Sequence, residues 1–215
     1  MKDIIIVCAG GFGCEVYDVI QEINEAAAAK GIEKPYNVLG FLSDVEVDLK
    51  AHYIDAEVIG DIQNWQPKGD EVYALGISSP AAKEKLANLL KSRGAKFETL
   101  VSPDSHIGKH VEMGEGCIVR AAVIIARGAK LGNFVNVMGS MVGSFAEIGD
   151  YSTTTGFANI TNAKLGKRVF VGSQAVIMNN RKIGDDAFIC ASSMVVSHVK
   201  SGKKMFGVPA VPVEW

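Results

Sequence analysis

The sequence predicts an α/β domain followed by a left-handed parallel β-helix, and two observations support this prediction. Up to residue 101, short apolar runs alternate with segments of helical periodicity, which is typical of a parallel sheet with helices against its faces. From residue 102 on, an aliphatic residue returns at every sixth position, which is the repeat of a hexapeptide β-helix. We therefore expect two domains, residues 1–101 and residues 102–215.

The composition is that of a globular protein with little net charge. Hydrophobic residues make up 48% of the 215 residues, and 22 basic and 24 acidic residues give a net charge of −2. The absence of a basic tract argues against nucleic acid as a partner. The amino-terminal apolar run is too short to span a membrane and lacks the cleavage region of a signal peptide, so we expect a cytoplasmic protein without membrane contact.

The cysteines and histidines indicate no metal site. None of the four cysteines forms a CxxC pair, and the four histidines show no metal-ligand spacing. We expect the cysteines to be buried or incidental thiols and the protein to need no metal.

The first domain contains three predicted strands, at residues 4–7, 37–42 and 71–77. The first predicted helix is the alanine-rich segment 15–31, where Gly31 lies just beyond the apolar periodicity. The second has Ser79 as its N-cap, Pro80 at its first position and Gly94 as its terminator. This alternation predicts a Rossmann-like domain.

The aliphatic repeat of the second domain runs in three stretches, 107–137, 142–160 and 165–195. Fifteen of its sixteen positions are aliphatic or methionine, and the exception is Thr154. Each of these side chains should fill the narrow interior at a corner, so that stacked coils share one continuous core.

The three stretches are joined by spacings that are one residue short. Val137 to Val142 and Ile160 to Leu165 are five residues apart instead of six. We expect altered corner geometry within residues 138–163. Either a purely structural adjustment or a modified functional site explains two such corners around one segment.

Four features together resemble the NeuD/PglD-like group of bacterial sugar O- and N-acetyltransferases over essentially the whole chain. They are the glycine-rich opening CAGGFG, the α/β domain, the hexapeptide β-helix and the closing MFGVPA. The resemblance implies transfer of an acetyl group from acetyl-CoA to a nucleotide-linked amino sugar or a related sugar of surface polysaccharide biosynthesis. It also implies a homotrimer with acetyl-CoA along the β-helix between subunits.

The opening CAGGFG, at residues 8–13, lies between the first predicted strand and helix. Glycines at this point let the backbone approach a phosphate at the helix N-terminus, but a tight turn explains them equally well. The resemblance places the nucleotide sugar at Gly10, Gly11 and Phe12. Phe12 replaces the family's histidine, and Cys8 replaces its first glycine.

A second nucleotide-binding element is predicted in GFLSD, residues 40–44, at the end of the second strand. A carboxylate there can accept hydrogen bonds from a ribose or a base. Ser43 and Asp44 match the family's paired acidic motif in part. The alternative is that Asp44 only starts a turn.

The resemblance places the family's general base, a histidine, at Ser144 in MVGSFAEIGD when the chain is aligned on EIGDYS, and at Phe145 when it is aligned from the LGN side. Neither alignment recovers the histidine. An imidazole near neutrality suits the removal of a proton from the acceptor, whereas an unassisted serine hydroxyl is too weakly basic. Glu147 is a weak substitute, since the EIGD corner favours a structural role. The resemblance implies acetyl-CoA contacts at Thr153, which replaces the family's second histidine, and at Ser173 and Ala191.

Two functional hypotheses follow. The first is an acetyl-CoA-dependent sugar acetyltransferase in which the usual histidine is replaced, with a base rebuilt locally or supplied by a neighbouring subunit. The second is a catalytically silent relative that binds a nucleotide sugar or acyl-CoA, or acts as a scaffold. The residues leave open whether the acceptor atom is oxygen or nitrogen.

Overall fold

A computed structural model describes residues 1–214, which fold into two compact units. The first comprises Met1–Ser78 with Ala82–Pro103, and the second comprises Ser79–Ala81 with the residues from Asp104 onward. None of the helices in the described part of the chain is long and apolar enough to cross a bilayer.

The first unit contains a five-stranded parallel sheet with the strand order β3-β2-β1-β4-β5. The central strand β1 is fully buried along Ile4–Val7. The elements of this unit are β1 Lys2–Val7, α1 Gly11–Ala29, β2 Tyr36–Leu42, a 3₁₀ turn Lys50–His52, β3 Val58–Gly60, β4 Val72–Leu75, α2 Pro80–Lys91, β5 Lys96–Phe97 and β6 Leu100–Val101.

The predicted helix ends are close to the observed ones. Pro80 is the first residue of α2, where its missing N–H costs no hydrogen bond. Gly31 follows α1 with a φ of 70° and donates its backbone N–H to Ala28 O at 2.9 Å. The edge strands β3 and β5 were not predicted, because they are only three and two residues long and carry exposed positions.

The second unit is a parallel β-helix, which confirms the repeat prediction. Its strands are two residues long, and three of them form each coil. They are β7 His106–Ile107, β8 Glu112–Met113, β9 Ile118–Val119, β10 Ile124–Ile125, β11 Lys130–Leu131, β12 Asn136–Val137, β13 Met141–Val142, β14 Glu147–Ile148, β15 Thr153–Thr154, β16 Asn159–Ile160, β17 Lys164–Leu165, β18 Phe170–Val171, β19 Val176–Ile177, β20 Lys182–Ile183, β21 Phe188–Ile189 and β22 Met194–Val195.

These strands form three faces. The first face contains β7, β10, β13, β16, β19 and β22, and the second contains β8, β11, β14, β17 and β20. The third contains β9, β12, β15, β18 and β21, followed by the hairpin of β23 Lys204–Gly207 and β24 Ala210–Val213. We call the corner between the first and second faces the first corner. The second corner follows the second face, and the third corner follows the third face.

Each corner places one residue in the left-handed backbone region. From His110 to Ser192 these residues recur every six positions, except between Phe134 and Gly139 and between Phe157 and Asn162, where the spacing is five. Strand pairing continues through both short corners. The expected change of geometry is found at Asn162, with a φ of 27°, but not at Gly139, with a φ of 59°.

Thr154 is the one polar residue at the core positions of the repeat that the sequence singled out. It is fully buried, in register with Val137 and Val171, and its hydroxyl has no hydrogen-bond partner. The next residue, Thr155, donates its hydroxyl to Val171 O at 2.9 Å. Adjacent threonines therefore differ in whether the hydroxyl is satisfied.

Replacing Thr154 with valine should stabilise the protein by about 1 kcal/mol or more, because the variant removes a buried hydroxyl without a partner. Thermal or urea denaturation measures the change. Thr155→Val is the matched control and should be destabilising, since it removes a satisfied hydrogen bond. A Thr154→Val variant that is less stable than the natural protein would contradict the assignment of an unsatisfied hydroxyl.

Candidate functional site

A cavity of about 240 Å³ lies in the first unit, between the loop after β1 and the end of β2. Gly10, Ser43 and Asp44 all line it, so the structure brings together residues from both predicted nucleotide-binding motifs. Its lining residues are Cys8, Ala9, Gly10, Ser43, Asp44, Val45, Val47, Ile62 and Leu86. Gly11 and Phe12 are not among them.

The loop after β1 leads directly into the N-terminus of α1. Gly10 is the N-cap in an extended conformation, without a side-chain cap, and the first turn of the 19-residue helix carries no acidic residue. Such an N-terminus favours an anion. Gly13 allows the helix to pack closely here, since a Cβ would collide with the carbonyl oxygen of Cys8. Sequence reasoning did not single out Gly13.

Cys8 lies in the cavity wall with a left-handed φ of 77°. Burial raises the pKa of its thiol to about 11, and the nearby Asp44 carboxylate adds to the increase. The thiol is therefore protonated near neutral pH and is a poor nucleophile.

Asp44 lines the cavity and anchors the segment that follows β3. Its Oδ1 accepts backbone N–H bonds from Ile62 at 2.7 Å and Gln63 at 3.3 Å, and its Oδ2 accepts the Gln63 side-chain amide at 3.0 Å. The Gln63 side chain, followed by the two backbone donors, lowers the pKa of this carboxyl group. Asp44 thus anchors the segment after β3 while remaining exposed in the cavity wall.

The β-helix places Ser144 in the first corner, where it is exposed. Within residues 1–214 its side chain has no hydrogen-bond partner. The next residue, Phe145, is 60% exposed and left-handed, and its ring lies over Gly128, where a Cβ would come within 2.7 Å. The Ser144 hydroxyl therefore has no activating partner among residues 1–214.

Glu147 points outward from β14 on the second face. Its carboxylate pairs with Lys164 at 2.6 Å, and one coil away Lys130 pairs with Glu112 at 3.1 Å. The two pairs form a ladder of alternating charge along exposed strands. Glu147 is therefore engaged in an ion pair and is not a free carboxylate.

The predicted acetyl-CoA contacts divide into two groups. Thr153 is fully buried, whereas Ser173 and Ala191 are exposed at the third corner. They occupy adjacent coils, since Ser192 N–H donates to Ser173 O at 2.8 Å. Gly156 lies one coil before Ser173, so small residues form a continuous strip at this corner.

The first corner carries basic residues that sequence reasoning did not single out, namely Lys109 and Arg127. Both lie two residues after an inward aliphatic of the first face, the same repeat position as Ser144. Aligning the chain by coil would have revealed them. In the described part of the chain no group of three or more His, Cys, Asp or Glu side chains is arranged to hold a metal ion.

Solved structures that include two acetyltransferases match the chain over nearly its whole length. The acetyltransferase domain of PglB from Neisseria gonorrhoeae matches with a TM-score of 0.82 and 20% identity, covering 99% of this chain and 100% of that one. WeeI from Acinetobacter baumannii matches with a TM-score of 0.82 and 22% identity, covering 99% and 100%.

A third match is a histidine-to-alanine mutant of GDP-perosamine N-acetyltransferase from Caulobacter crescentus, in complex with CoA and GDP-perosamine. Its TM-score is 0.83 at 20% identity, and it covers 100% of this chain and 98% of that one. The PglB domain is also solved with acetyl-CoA bound. The resemblance to this group of β-helical enzymes is thus confirmed at the level of the fold.

The curated relatives are also acyltransferases. The bifunctional protein GlmU of Clostridium botulinum is 26% identical over 166 residues, 72% of this chain and 35% of GlmU. A serine acetyltransferase of Mycobacterium tuberculosis is 28% identical over 135 residues, 58% of this chain and 55% of the relative. The chain therefore spans about half or less of these relatives' length. No family model matches it.

Asp44→Ala should lower the thermal midpoint of unfolding at neutral pH, because three hydrogen bonds to residues 62–63 are lost. Asp44→Asn keeps one oxygen acceptor and should therefore lower the thermal midpoint less than Asp44→Ala does. Since folding lowers the pKa of Asp44, its stabilisation is present above the unfolded pKa and is lost as pH falls through the folded value. The Asp44→Ala difference should therefore shrink below about pH 4. Equal midpoints at neutral pH would contradict the anchoring role.

Proposed function

We propose that the protein is an acetyl-CoA-dependent acetyltransferase acting on a nucleotide-linked amino sugar of surface polysaccharide biosynthesis. The observation that carries this proposal is the coverage of both units by the PglB acetyltransferase domain and by the GDP-perosamine N-acetyltransferase, at 98–100% of each chain. Acetyltransferases that share only the β-helix would leave the first unit unexplained.

In this proposal residues 1–101 form a Rossmann-like domain that binds the nucleotide part of the acceptor. The cavity beside Gly10 offers free backbone N–H groups at a helix N-terminus for a phosphate. Asp44 and Ser43 line this cavity, and the lone pairs of the Asp44 carboxylate that its internal hydrogen bonds leave unused can accept from a ribose or base. Gly11 and Phe12 then shape the approach to this loop.

Residues 102–215 form the left-handed β-helix that binds acetyl-CoA and carries out the transfer. The strip of small residues at Gly156, Ser173 and Ala191 permits close approach of an extended ligand such as the pantetheine arm. Thr153 is buried in the single chain, so it lies beneath this surface and does not contact acetyl-CoA directly. Acetyl-CoA is a substrate here, and the chemistry requires no metal.

A specific observation favours a second candidate, a silent relative that only binds these ligands. Ser144 has no activating partner within the described residues, and Glu147 is held by Lys164. In the perosamine enzyme, a mutant that lacks one histidine still binds CoA and GDP-perosamine. Binding therefore survives such a loss in that protein, and turnover is the quantity that separates the two candidates.

We expect the natural protein to bind acetyl-CoA and to consume its thioester with GDP-perosamine or dTDP-4-amino-4,6-dideoxyglucose as acceptor. Ser144→His should raise the rate by up to about 10²-fold, because a positioned base typically contributes that much. Calorimetry measures binding, and release of the CoA thiol measures turnover. Ser197→His, at the same corner position three coils away, is the matched control.

Turnover only after the histidine is restored would support the silent relative. Absence of acetyl-CoA binding in both proteins would defeat the proposed function altogether.

We further propose a homotrimer that packs through the first face. Ile124, Met141 and Met194 point outward there and are 43%, 42% and 36% exposed, whereas the second face carries charged residues. The same outward column also contains His106, Asn159 and Val176. Its large exposed apolar side chains favour association with another copy of the chain.

Light scattering should report about three times the 22.9 kDa chain mass. Met141→Glu should dissociate the assembly, because it buries an unpaired charge in an apolar contact. Lys182→Glu on the second face should leave the mass unchanged. A monomeric natural protein would contradict the trimer.

A further inference from the structure

We propose that Arg127 enables acetyl transfer at the first corner. Its positive charge keeps the acceptor amine neutral and stabilises the oxyanion that forms on the thioester. The inference rests on the proposed function and narrows it. It assigns an amine, and not a hydroxyl, as the acceptor.

The coil register places Arg127 directly beside Ser144. Ile124 pairs with Met141 and Ile125 with Val142, so Arg127 and Ser144 both lie two residues after paired inward positions. The backbone N–H of Phe145 donates to Arg127 O at 3.1 Å. One coil spacing, about 4.8 Å, separates the two residues, and an extended arginine side chain spans that distance.

Arg127 is also an uncompensated charge. Its side chain is exposed and makes no ion pair or hydrogen bond with any residue of the described range 1–214. Several other cations of the β-helix are paired with acids. These are Lys130, Lys164, Lys167 and Arg168, which pair with Glu112, Glu147, Asp150 and Asp186 respectively.

A second positive charge lies near Arg127. Lys109 occupies the preceding coil at this corner, and Gly128 N–H donates to Lys109 O at 3.0 Å. The following coils contribute Ser144 and Phe145, then Thr161 and Asn162, with no acid among them. The acids of the adjoining second face, Glu112 and Glu147, are each neutralised by a lysine. A ligand at Ser144 therefore experiences a positive field.

A positive field makes a bound ammonium group less stable than the neutral amine. A free aliphatic amine next to electron-withdrawing groups has a pKa of about 8, by analogy with the α-amino group. A moderate decrease in the pKa of the bound amine leaves much of it neutral at pH 7 without any protein base. A sugar hydroxyl is a far weaker acid than an ammonium group and stays protonated in the same field, so this corner selects amines.

The transfer step then balances as follows. In the proposed trimer, the neutral amine nitrogen at the first corner of one subunit attacks the thioester carbonyl carbon of acetyl-CoA held at the third corner of its neighbour. The carbonyl oxygen becomes an oxyanion that the Arg127 guanidinium stabilises. The C–S bond breaks when this intermediate collapses, and the CoA thiolate leaves. The nitrogen loses its extra proton to water, and the thiolate is protonated from solvent. The products are the N-acetyl sugar and CoA.

The test compares the natural protein with Arg127→Gln and Arg127→Lys, using GDP-perosamine between about pH 6 and 9, a range that spans the amine pKa. Arg127→Gln should lower kcat by about 10²-fold, as expected for loss of an oxyanion donor. The pH at which the rate rises should also be higher in Arg127→Gln than in the natural protein. Arg127→Lys should restore part of the lost kcat and part of the shift in the pH profile. Lys109→Gln, one coil further away, should have a smaller effect.

A binding measurement without acetyl-CoA separates charge effects from a structural role. Calorimetry should show that GDP-perosamine binds the natural protein more tightly as the amine loses its proton, and that Arg127→Gln weakens this pH dependence. GDP-6-deoxymannose, which carries a hydroxyl in place of the amine, should bind independently of pH and should not be acetylated.

Unchanged kcat and pH profile in Arg127→Gln, while the natural protein turns over, would overturn this inference alone. Acetylation of the hydroxyl sugar at a comparable rate would also overturn it. A natural protein that acetylates no nucleotide sugar at any pH would defeat the proposed function, and this inference with it.

Discussion

The structure of the β-helix depends on the hydrogen-bonded register between its successive coils. A strand of two residues cannot satisfy its own backbone, so the N–H groups of each coil donate to carbonyls of the next, as Lys130 does to Ala146 O at 2.8 Å. This register requires an inward aliphatic on each face and a left-handed residue at each corner. Shortening a coil by one residue is tolerated only where a corner absorbs it, as at Asn162.

The same register places residues 17 or 18 positions apart side by side, which determines how surface charges are matched. At the second corner, Asp150 accepts a backbone N–H bond from Asn133 at 2.9 Å, and Phe134 and Tyr151 stack with ring centroids 5.3 Å apart. These contacts offset the cost of non-glycine residues in the left-handed region, about 1–2 kcal/mol each. The first corner lacks comparable charge pairing, so its polar groups are available to a ligand.

Much of the fold could be predicted from the sequence, because a six-residue aliphatic period has one physical explanation. The short spacings after Val137 and Ile160 were equally visible. The edge strand β3 could not be predicted, since three residues carry no measurable period. Asp44 was recognised as a candidate ligand or turn residue, but its bonds to Ile62 and Gln63 depend on tertiary contacts 18 and 19 residues away.

The site was harder to predict than the fold, and Ser144 illustrates the reason. Reading along the chain shows only that a histidine is missing there, which points to lost activity. Reading across the coils shows that Arg127 and Lys109 lie in the same column, and that no acid neutralises them at this corner. A histidine base and a cationic surface solve the same problem differently. The base removes a proton after the acceptor binds, whereas the cationic surface binds the acceptor with that proton already lost. The second solution works only for an acceptor whose own pKa lies near neutrality, so under the proposed function the replacement of the histidine restricts the range of acceptors and does not require a loss of activity.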